Sequence, residues 1–372
     1  MDAPLGQEAV MGSPEGIDLS ISPVIAVVIP CYRVAAKVLG VIEAIGPEVA
    51  QIFVIDDKCP ERSGALVERE CHDPRVRVLH HEVNKGVGGA IVTGYRAALD
   101  AEADIIIKVD GDGQMDPALI PVFVAPLAAG EADYVKGNRF YSISATRKMP
   151  AVRIFGNAAL SFVTKLSSGY WSIFDPTNGY TAINSKAAIS IELEKLAERY
   201  FFETDMLIKL GDVRAVVLDV PMRAKYEDEV SSLKLSRVIG DFIWRHLAAT
   251  TRRLFYSYFL RDFNIASLNL AVGMAFLLFG TAFGVAAWMQ SSLSGVPATT
   301  GTVMISVLPI VVGIQMLLFF FSFDMGNEPR RTLQSISGAV SLLRQESQIS
   351  ATNLRLRQGD DRNADRKTVT KS

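Results

Sequence analysis

Two carboxylates stand two residues apart in the run Val109-Asp110-Gly111-Asp112-Gly113-Gln114, directly after an apolar stretch. Paired carboxylate oxygens suit a hard divalent cation such as Mg²⁺ or Mn²⁺. A cation held there neutralises a diphosphate and stabilises charge on a departing nucleotide. Taken alone, Asp-x-Asp also describes a surface turn, so its meaning depends on the element before it. A second acidic pair, Asp56-Asp57, closes another apolar stretch. Carboxylates at a strand end accept hydrogen bonds from a base N–H or a ribose hydroxyl; a helix-capping turn is the alternative. The run Asn84-Lys85-Gly86-Val87-Gly88-Gly89-Ala90 opens a helix with glycines, where backbone N–H groups and Lys85 can hold phosphate. It matches neither G-x-G-x-x-G nor GK[ST], which leaves a tight turn without ligand open.

The elements that position these side chains appear as an alternation. Residues 24–29 are continuously apolar and predict a buried parallel strand. Further strands are expected at 51–55, 76–80, 105–109 and 134–136, with helices at 36–45 and 89–99. Asp116-Pro117 fits an N-cap followed by proline at the first helical position. Residues 149–218 read as mixed helix and strand of the same domain. This rhythm predicts a doubly wound α/β sheet. Ligands of such sheets bind at the carboxyl ends of the strands, which turns the Asp-x-Asp run into a site.

Composition separates the remainder. Residues 265–323 hold no charged side chain, and mean hydropathy is +0.24 over 372 residues. Stretches at 268–289 and 303–323 are each long enough to cross a bilayer core. Before them, residues 233–261 carry Lys234, Arg237, Arg245, Arg252, Arg253 and Arg261 against Asp241 alone. Apolar residues recur there at helical spacing, so an amphipathic helix at the membrane interface is expected, with a packing helix of the soluble domain as the alternative. Arginines flank both spans from outside, Arg330 and Arg331 included, which places both ends in the cytoplasm. The tail from Arg330 has nine Lys/Arg and four Asp/Glu and is expected to be disordered and near anionic lipid. A net charge of -2 argues against nucleic acid as partner. Cys31, Cys59 and Cys71 form no CxxC pair and suit reduced thiols. His72, His80 and His81 lack zinc-site spacing. The first twenty residues show no signal-peptide pattern. The expected domains are a leader (1–22), a catalytic domain (23–230), juxtamembrane helices (231–262), two spans (263–325) and a basic tail (326–372).

Several motifs occur in order: Val27-Val28-Ile29-Pro30-Cys31-Tyr32, Ile55-Asp56-Asp57, Asn84-Lys85-Gly86, Asp110-Gly111-Asp112-Gly113-Gln114, Gly137-Asn138-Arg139 and Asp175-Pro176-Thr177-Asn178-Gly179-Tyr180. Together they resemble family 2 glycosyltransferases of the GT-A fold. The subgroup they look most like is the dolichol-phosphate mannose synthases and their bacterial polyprenyl-phosphate relatives. The resemblance implies inverting transfer of a hexose from a UDP- or GDP-sugar to a polyprenyl phosphate, with Mg²⁺ or Mn²⁺, at the inner (plasma) membrane, in cell-envelope glycan synthesis. It leaves a homo-oligomer open. It implies that Pro30, Cys31, Tyr32, Asp56, Asp57, Lys85, Asp110 and Gly111 bind the donor. Asp110, Asp112 and Gln114 would hold the metal. Asp112, Arg139 and Asp205 would be catalytic, with Arg139 contacting phosphate and Asp205 near the acceptor. Arg223, Ser231, Ser232 and Lys234 would take the acceptor phosphate. This chain departs from the pattern at Arg33-Val34, Lys58-Cys59 and the acidic Glu227-Asp228-Glu229, so Arg223 or Lys225 would supply a cation that relatives place in that loop. A processive polysaccharide synthase is the alternative enzyme, but two spans make a poor polymer channel and no Gln-x-x-Arg-Trp occurs. A non-catalytic membrane scaffold is the alternative outside enzymes, against which Asp110, Asp112 and Gln114 stand intact.

Overall fold

A computed structural model describes residues 22–141, 151–222 and 235–336. The elements in chain order are β1 (Ile25–Cys31), α1 (Val38–Glu43), β2 (Gln51–Asp56), α2 (Ser63–Glu70), β3 (Val76–His80), α3 (Gly86–Asp100), β4 (Ile105–Lys108), α4 (Ile120–Ala128) and β5 (Tyr134–Asn138). There follow α5 (Ala151–Ser168), β6 (Thr181–Asn184), α6 (Ser185–Ser190), α7 (Phe202–Asp212), β7 (Val217–Pro221), α8 (Leu235–Phe255), α9 (Ile265–Ser294) and α10 (Thr300–Gly326). The predicted strands and helices fall on β1 to β5, α1 and α3. Asp116 accepts from the Ala118 N–H with Pro117 at the first position of a short 3₁₀ turn, as the cap pattern predicts.

The sheet runs β3-β2-β1-β4-β6-β5-β7. Only β6 is antiparallel to its neighbours. Alternate residues of each strand face opposite cores. Val27, Ile29, Ile52, Val54, Ile105 and Ile107 meet α1 and α4 on one side. Ala26, Val28, Phe53, Ile55, Ile106 and Tyr134 meet α3 and α7 on the other. Burial on both faces explains why β1 and β4 read as unbroken apolar runs rather than alternating ones.

The amphipathic stretch is helical over Leu235–Phe255 and continues as a π turn over Tyr256–Arg261. After it, α9 and α10 form a hairpin that is long and apolar enough to cross a membrane. Only 11% and 17% of their most apolar windows are buried within the protein, so these helices are not a soluble core. Small residues let them meet closely: a Cβ on Gly313 would stand 2.8 Å from the Gly273 carbonyl.

Two polar knots tie the hairpin to the sheet domain. At the first, Asp324 in the last turn of α10 accepts from Arg253 Nη1 (2.8 Å), Arg253 Nη2 (2.9 Å), Tyr258 Oη (2.6 Å) and Trp171 Nε1 (2.9 Å). At the second, the buried Asp133 accepts from the backbone N–H groups of Val216 and Leu333 and from the Asn184 amide. The chain beyond the hairpin therefore returns to the domain it left.

A buried carboxylate stripped of its cation is left with uncompensated charge. Arg253→Ala should therefore lower stability by about 3–5 kcal/mol. Removing the exposed Arg245–Asp241 pair (2.7 Å) should change it little. Thermal unfolding in detergent checks this; equal effects at the two pairs would contradict it.

Candidate active site

The site forms where β1, β2 and β4 end. A cleft of about 490 Å³ is lined there by Pro30, Cys31, Tyr32, Asp57, Asp110, Gly111 and Asp112, among others. Six of the eight residues expected to bind a donor lie along it. Of the expected metal ligands, Asp110 and Asp112 line it; Gln114 does not, although its N–H donates to Asp112 Oδ1 at 3.0 Å. Among the described residues no three His, Cys, Asp or Glu side chains cluster as a closed metal site. Arg199 and Tyr200, in the turn before α7, complete the cleft and carry no signal in the motifs.

The adjacent acids Asp56 and Asp57 separate. Asp56 is buried and accepts at Oδ1 from the Cys59 N–H (2.7 Å) and at Oδ2 from the Gly64 N–H (2.7 Å). It shapes the turn into α2 and, unlike Asp57, does not line the cleft. Asp57 accepts from His81 Nδ1 (2.8 Å), the Lys85 N–H (2.8 Å) and the Gly86 N–H (2.7 Å). These bonds hold its carboxylate rigidly at the cleft wall. They also correct the reading of the glycine run as a phosphate cradle. The N–H groups of Gly88 and Gly89 go to the Glu198 carbonyl, so Asp57 and residue 198 occupy the donors a phosphate would need. Gly88 serves close packing, since a Cβ there would lie 2.1 Å from the Ala197 carbonyl oxygen. The Lys85 side chain is exposed and lies outside the cleft lining.

Behind Asp110 lies a feature that the motifs did not reveal. Lys108 and Lys136 both pair across the sheet with Thr181, and both are buried on the face of α3 and α7. Lys108 Nζ meets Asp110 Oδ1 at 2.7 Å and donates to the Gly179 carbonyl at 3.1 Å. Lys136 Nζ donates to the Asn178 carbonyl. Burial alone would lower the Lys108 pKa, but Asp110, Glu203 and Asp112 outweigh it and the net shift is upward. At Lys136 burial wins and takes the pKa down to about 8, against the pull of Asp175, Glu203 and Asp219. The Asp175-Pro-Thr-Asn-Gly-Tyr180 run thus acts as a clamp over the two lysines. Gly179 lies close against Lys108, since a Cβ there would stand 2.4 Å from Lys108 Nζ and force the ammonium to shift.

The same clamp holds Arg139. Its Nε and Nη2 donate to Asp175 Oδ2 (2.8 Å) and Oδ1 (2.9 Å), a two-point grip on a buried carboxylate. Arg139 is therefore an arginine oriented by Asp175 rather than an unengaged phosphate binder. Asp205 needs a stronger correction. Residues two apart on a helix point to opposite sides. Glu203 feels Lys108 and Lys136. Asp205 instead accepts from the Ala197 N–H at 2.8 Å and sits near Lys209, Arg252 and Arg245, with its pKa raised by burial. It caps the turn before α7, while Glu203 lies within electrostatic reach of the two buried lysines. Arg223, Lys225, Ser231, Ser232 and Lys234 lie outside the described residues.

Residues 26–191 match the sequence profile described as Glycosyl transferase family 2. The chain belongs to that family: it is a glycosyltransferase, and its seven-stranded mixed sheet is the GT-A arrangement. Among its relatives, the UDP-N-acetylglucosamine–dolichyl-phosphate N-acetylglucosaminyltransferase of Methanococcus voltae is 33% identical over 174 residues, 46% of this chain and 68% of that one. The undecaprenyl-phosphate mannosyltransferase of Micrococcus luteus is 28% identical over 222 residues, 58% and 89% of the two chains. The dolichol-phosphate mannosyltransferase of Pyrococcus furiosus is 23% identical over 181 residues, 48% and 50%.

The buried lysine makes a pH prediction. Lys136 titrates near 8 in the folded protein and near 10.5 when unfolded. Between these values the unfolded chain binds more protons, so stability gains with rising pH. Below 8 both states are protonated, and the cost of burying the charge is fully present. Denaturant unfolding of wild type and Lys136→Met should therefore differ most below pH 8 and converge as pH rises towards 10.5. A difference independent of pH would contradict the assignment.

Proposed function

We propose that this glycosyltransferase moves a hexose from a UDP- or GDP-linked donor to a polyprenyl phosphate, with inversion at the anomeric carbon. The observation that carries the reading is a single cleft lined together by Tyr32, Asp57, Asp110 and Asp112. It offers a face for a base, an acceptor for base or ribose, and paired carboxylates for a diphosphate-bound cation. The three relatives above are named for dolichyl- or undecaprenyl-phosphate acceptors. The apolar hairpin beside the domain suits an acceptor that lives in a bilayer.

Mg²⁺ or Mn²⁺ fits the residues present. Asp110 and Asp112 offer at the cleft wall the hard carboxylate oxygens that such an ion takes. Such an ion, when bound, screens the donor diphosphate and stabilises the departing nucleotide. Lys108 fixes one oxygen of Asp110, so the carboxylate is oriented before the donor arrives. The acceptor is a phosphate monoester, with a second pKa of about 6 and a largely dianionic form at neutral pH. It attacks without a strong general base. Asp205, turned away from the cleft, is given no step. Arg139, oriented by Asp175, is assigned to phosphate, and Arg223, Ser231, Ser232 and Lys234 to the acceptor.

The hairpin ends both lie on the side of the sheet domain, since the Leu333 N–H reaches Asp133. With arginines concentrated there, we place the domain and both hairpin ends in the cytoplasm.

Asp112→Asn should lose about 10²–10³-fold in metal-dependent turnover with the fold intact. Assays of UDP- and GDP-sugars against short polyprenyl phosphates, with and without EDTA, check this; full turnover by the variant in EDTA would refute it. NMR of the product from an α-linked donor should show a β linkage, and a retained α linkage would overturn inversion. A cysteine placed at Ala298, between α9 and α10, should react with an impermeant reagent in intact cells. Reaction only after lysis would reverse the topology.

A further inference from the structure

The donor cleft is not the larger of the two cavities nearest the chemistry and the membrane. A cavity of about 740 Å³ opens where the π turn after α8, the end of α10 and the turn before β7 meet. Its walls include Arg214, Arg261, Arg330, Arg331, Glu328 and Leu333. It lies at the opposite end of the sheet from the donor. Arg214 precedes the first residue of β7, and β7 runs parallel to β5 and in the same direction as β4, whose last residues lead to Asp110.

Its charge is unbalanced. Among the described residues none of the four arginines is ion-paired. Glu328 is the one acid in the wall, and its two oxygens already accept from the Ser172 N–H (2.6 Å) and hydroxyl (2.7 Å). Arg214 spends a single bond on the Asn327 carbonyl at 3.3 Å. Arg261 reaches the Asp212 carbonyl at 3.3 Å. Burial, and then the neighbouring Arg214, lower the Arg261 pKa against the opposing pull of Tyr256, Asp262 and Asp212, which lie outside the cavity wall. Like charges held together in this way favour an anion between them.

Its height is also defined. Arg261 stands just before α9 begins at Ile265, and Asn327 just after α10 ends at Gly326. The cavity therefore sits at the boundary where both apolar helices leave the hydrocarbon layer. Leu333, Ile336 and Val213 add an apolar wall beside the guanidinium groups. The volume is in the range of small-ligand sites, roughly 300–1,000 Å³. Phosphate esters are among the anions that guanidinium groups bind through two-point hydrogen bonds.

We propose that this cavity binds the phosphate headgroup of an anionic phospholipid of the surrounding bilayer, at a site separate from that of the acceptor lipid. The site rests on the hairpin lying in a membrane and not on which sugar or acceptor the enzyme uses. It would hold the α8 region against the interface and set the height of the catalytic domain above the bilayer.

The test uses the full chain, purified in an uncharged detergent and titrated with phosphatidylglycerol while native mass spectrometry counts bound lipid. One phosphatidylglycerol should be retained per chain, and phosphatidylcholine should not. Affinity should fall about tenfold in Arg330→Ala/Arg331→Ala, and again in Arg214→Gln, as expected for lost charge-assisted bonds. Arg330 and Arg331 are exposed, so their loss spares the fold; Arg69→Ala, on the distant α2, should bind as wild type does. Inorganic phosphate in excess should not displace the lipid. Unchanged binding in both variants, equal retention of phosphatidylcholine, or displacement by inorganic phosphate would overturn the proposal. Displacement by short polyprenyl phosphate would assign the cavity to the acceptor and overturn it too. Sugar transfer, followed in parallel, reports on the proposed reaction independently of these counts.

Discussion

Two ammonium groups buried side by side under one end of a sheet are the constraint on which the site depends. An unpaired buried charge is costly, and its partners must be close and hydrogen-bonded. Lys108 meets that demand with Asp110 and the Gly179 carbonyl, and Lys136 with the Asn178 carbonyl. The segment that supplies those carbonyls also carries Asp175, which grips Arg139. One charge requirement thus places a metal-type carboxylate, an arginine and a clamp within a single frame. Met222 and Tyr180 close it from behind, through Asn178 Nδ2 and the Asp116 carbonyl. Because the lysines sit on strands, the frame is as rigid as the sheet itself.

The same logic, applied at the membrane, joins the hairpin to the enzyme. Asp324 is the acid that ends an otherwise uncharged pair of helices, and four donors from three other parts of the chain satisfy it. Trp171 is one of them, and it lies four residues before Asp175 in the clamp. The contact between α10 and the sheet domain and the orientation of Arg139 therefore share one short segment. That continuity places the seat of the hairpin and the support of Arg139 on neighbouring residues.

Much of the frame was legible in the residues. Continuous apolar runs marked β1, β2 and β4 because both faces of the sheet are covered, and the 59 charge-free residues at 265–323 marked α9 and α10 as long apolar helices. The antiparallel insertion of β6 between β4 and β5 was not legible, since no local pattern encodes which strand lies next to which. Neither was the division of labour between Asp56 and Asp57. Asp56 ends β2 and is held by the turn into α2, while Asp57 is the first residue beyond the strand and reaches the cleft, a division that the motif does not encode. Asp205 and Glu203 lie two apart on α7 and point to opposite sides, and the pattern did not say which of them is within reach of the buried lysines. Lys108 and Lys136 were passed over because a lysine in a strand ordinarily signals a solvent face. Their meaning appears only when Thr181 lies between them.

The claim at the centre is that Asp110, held by Lys108, and Asp112 make the cleft a metal-dependent nucleotide-diphosphate site. Isothermal titration of UDP and GDP into the full chain, with Mn²⁺ and with EDTA, addresses it directly. One of the two should bind with Mn²⁺, lose most of its affinity in EDTA, and fail to bind Asp110→Asn under either condition. Binding that is equally strong without metal, or unchanged in Asp110→Asn, would contradict the account.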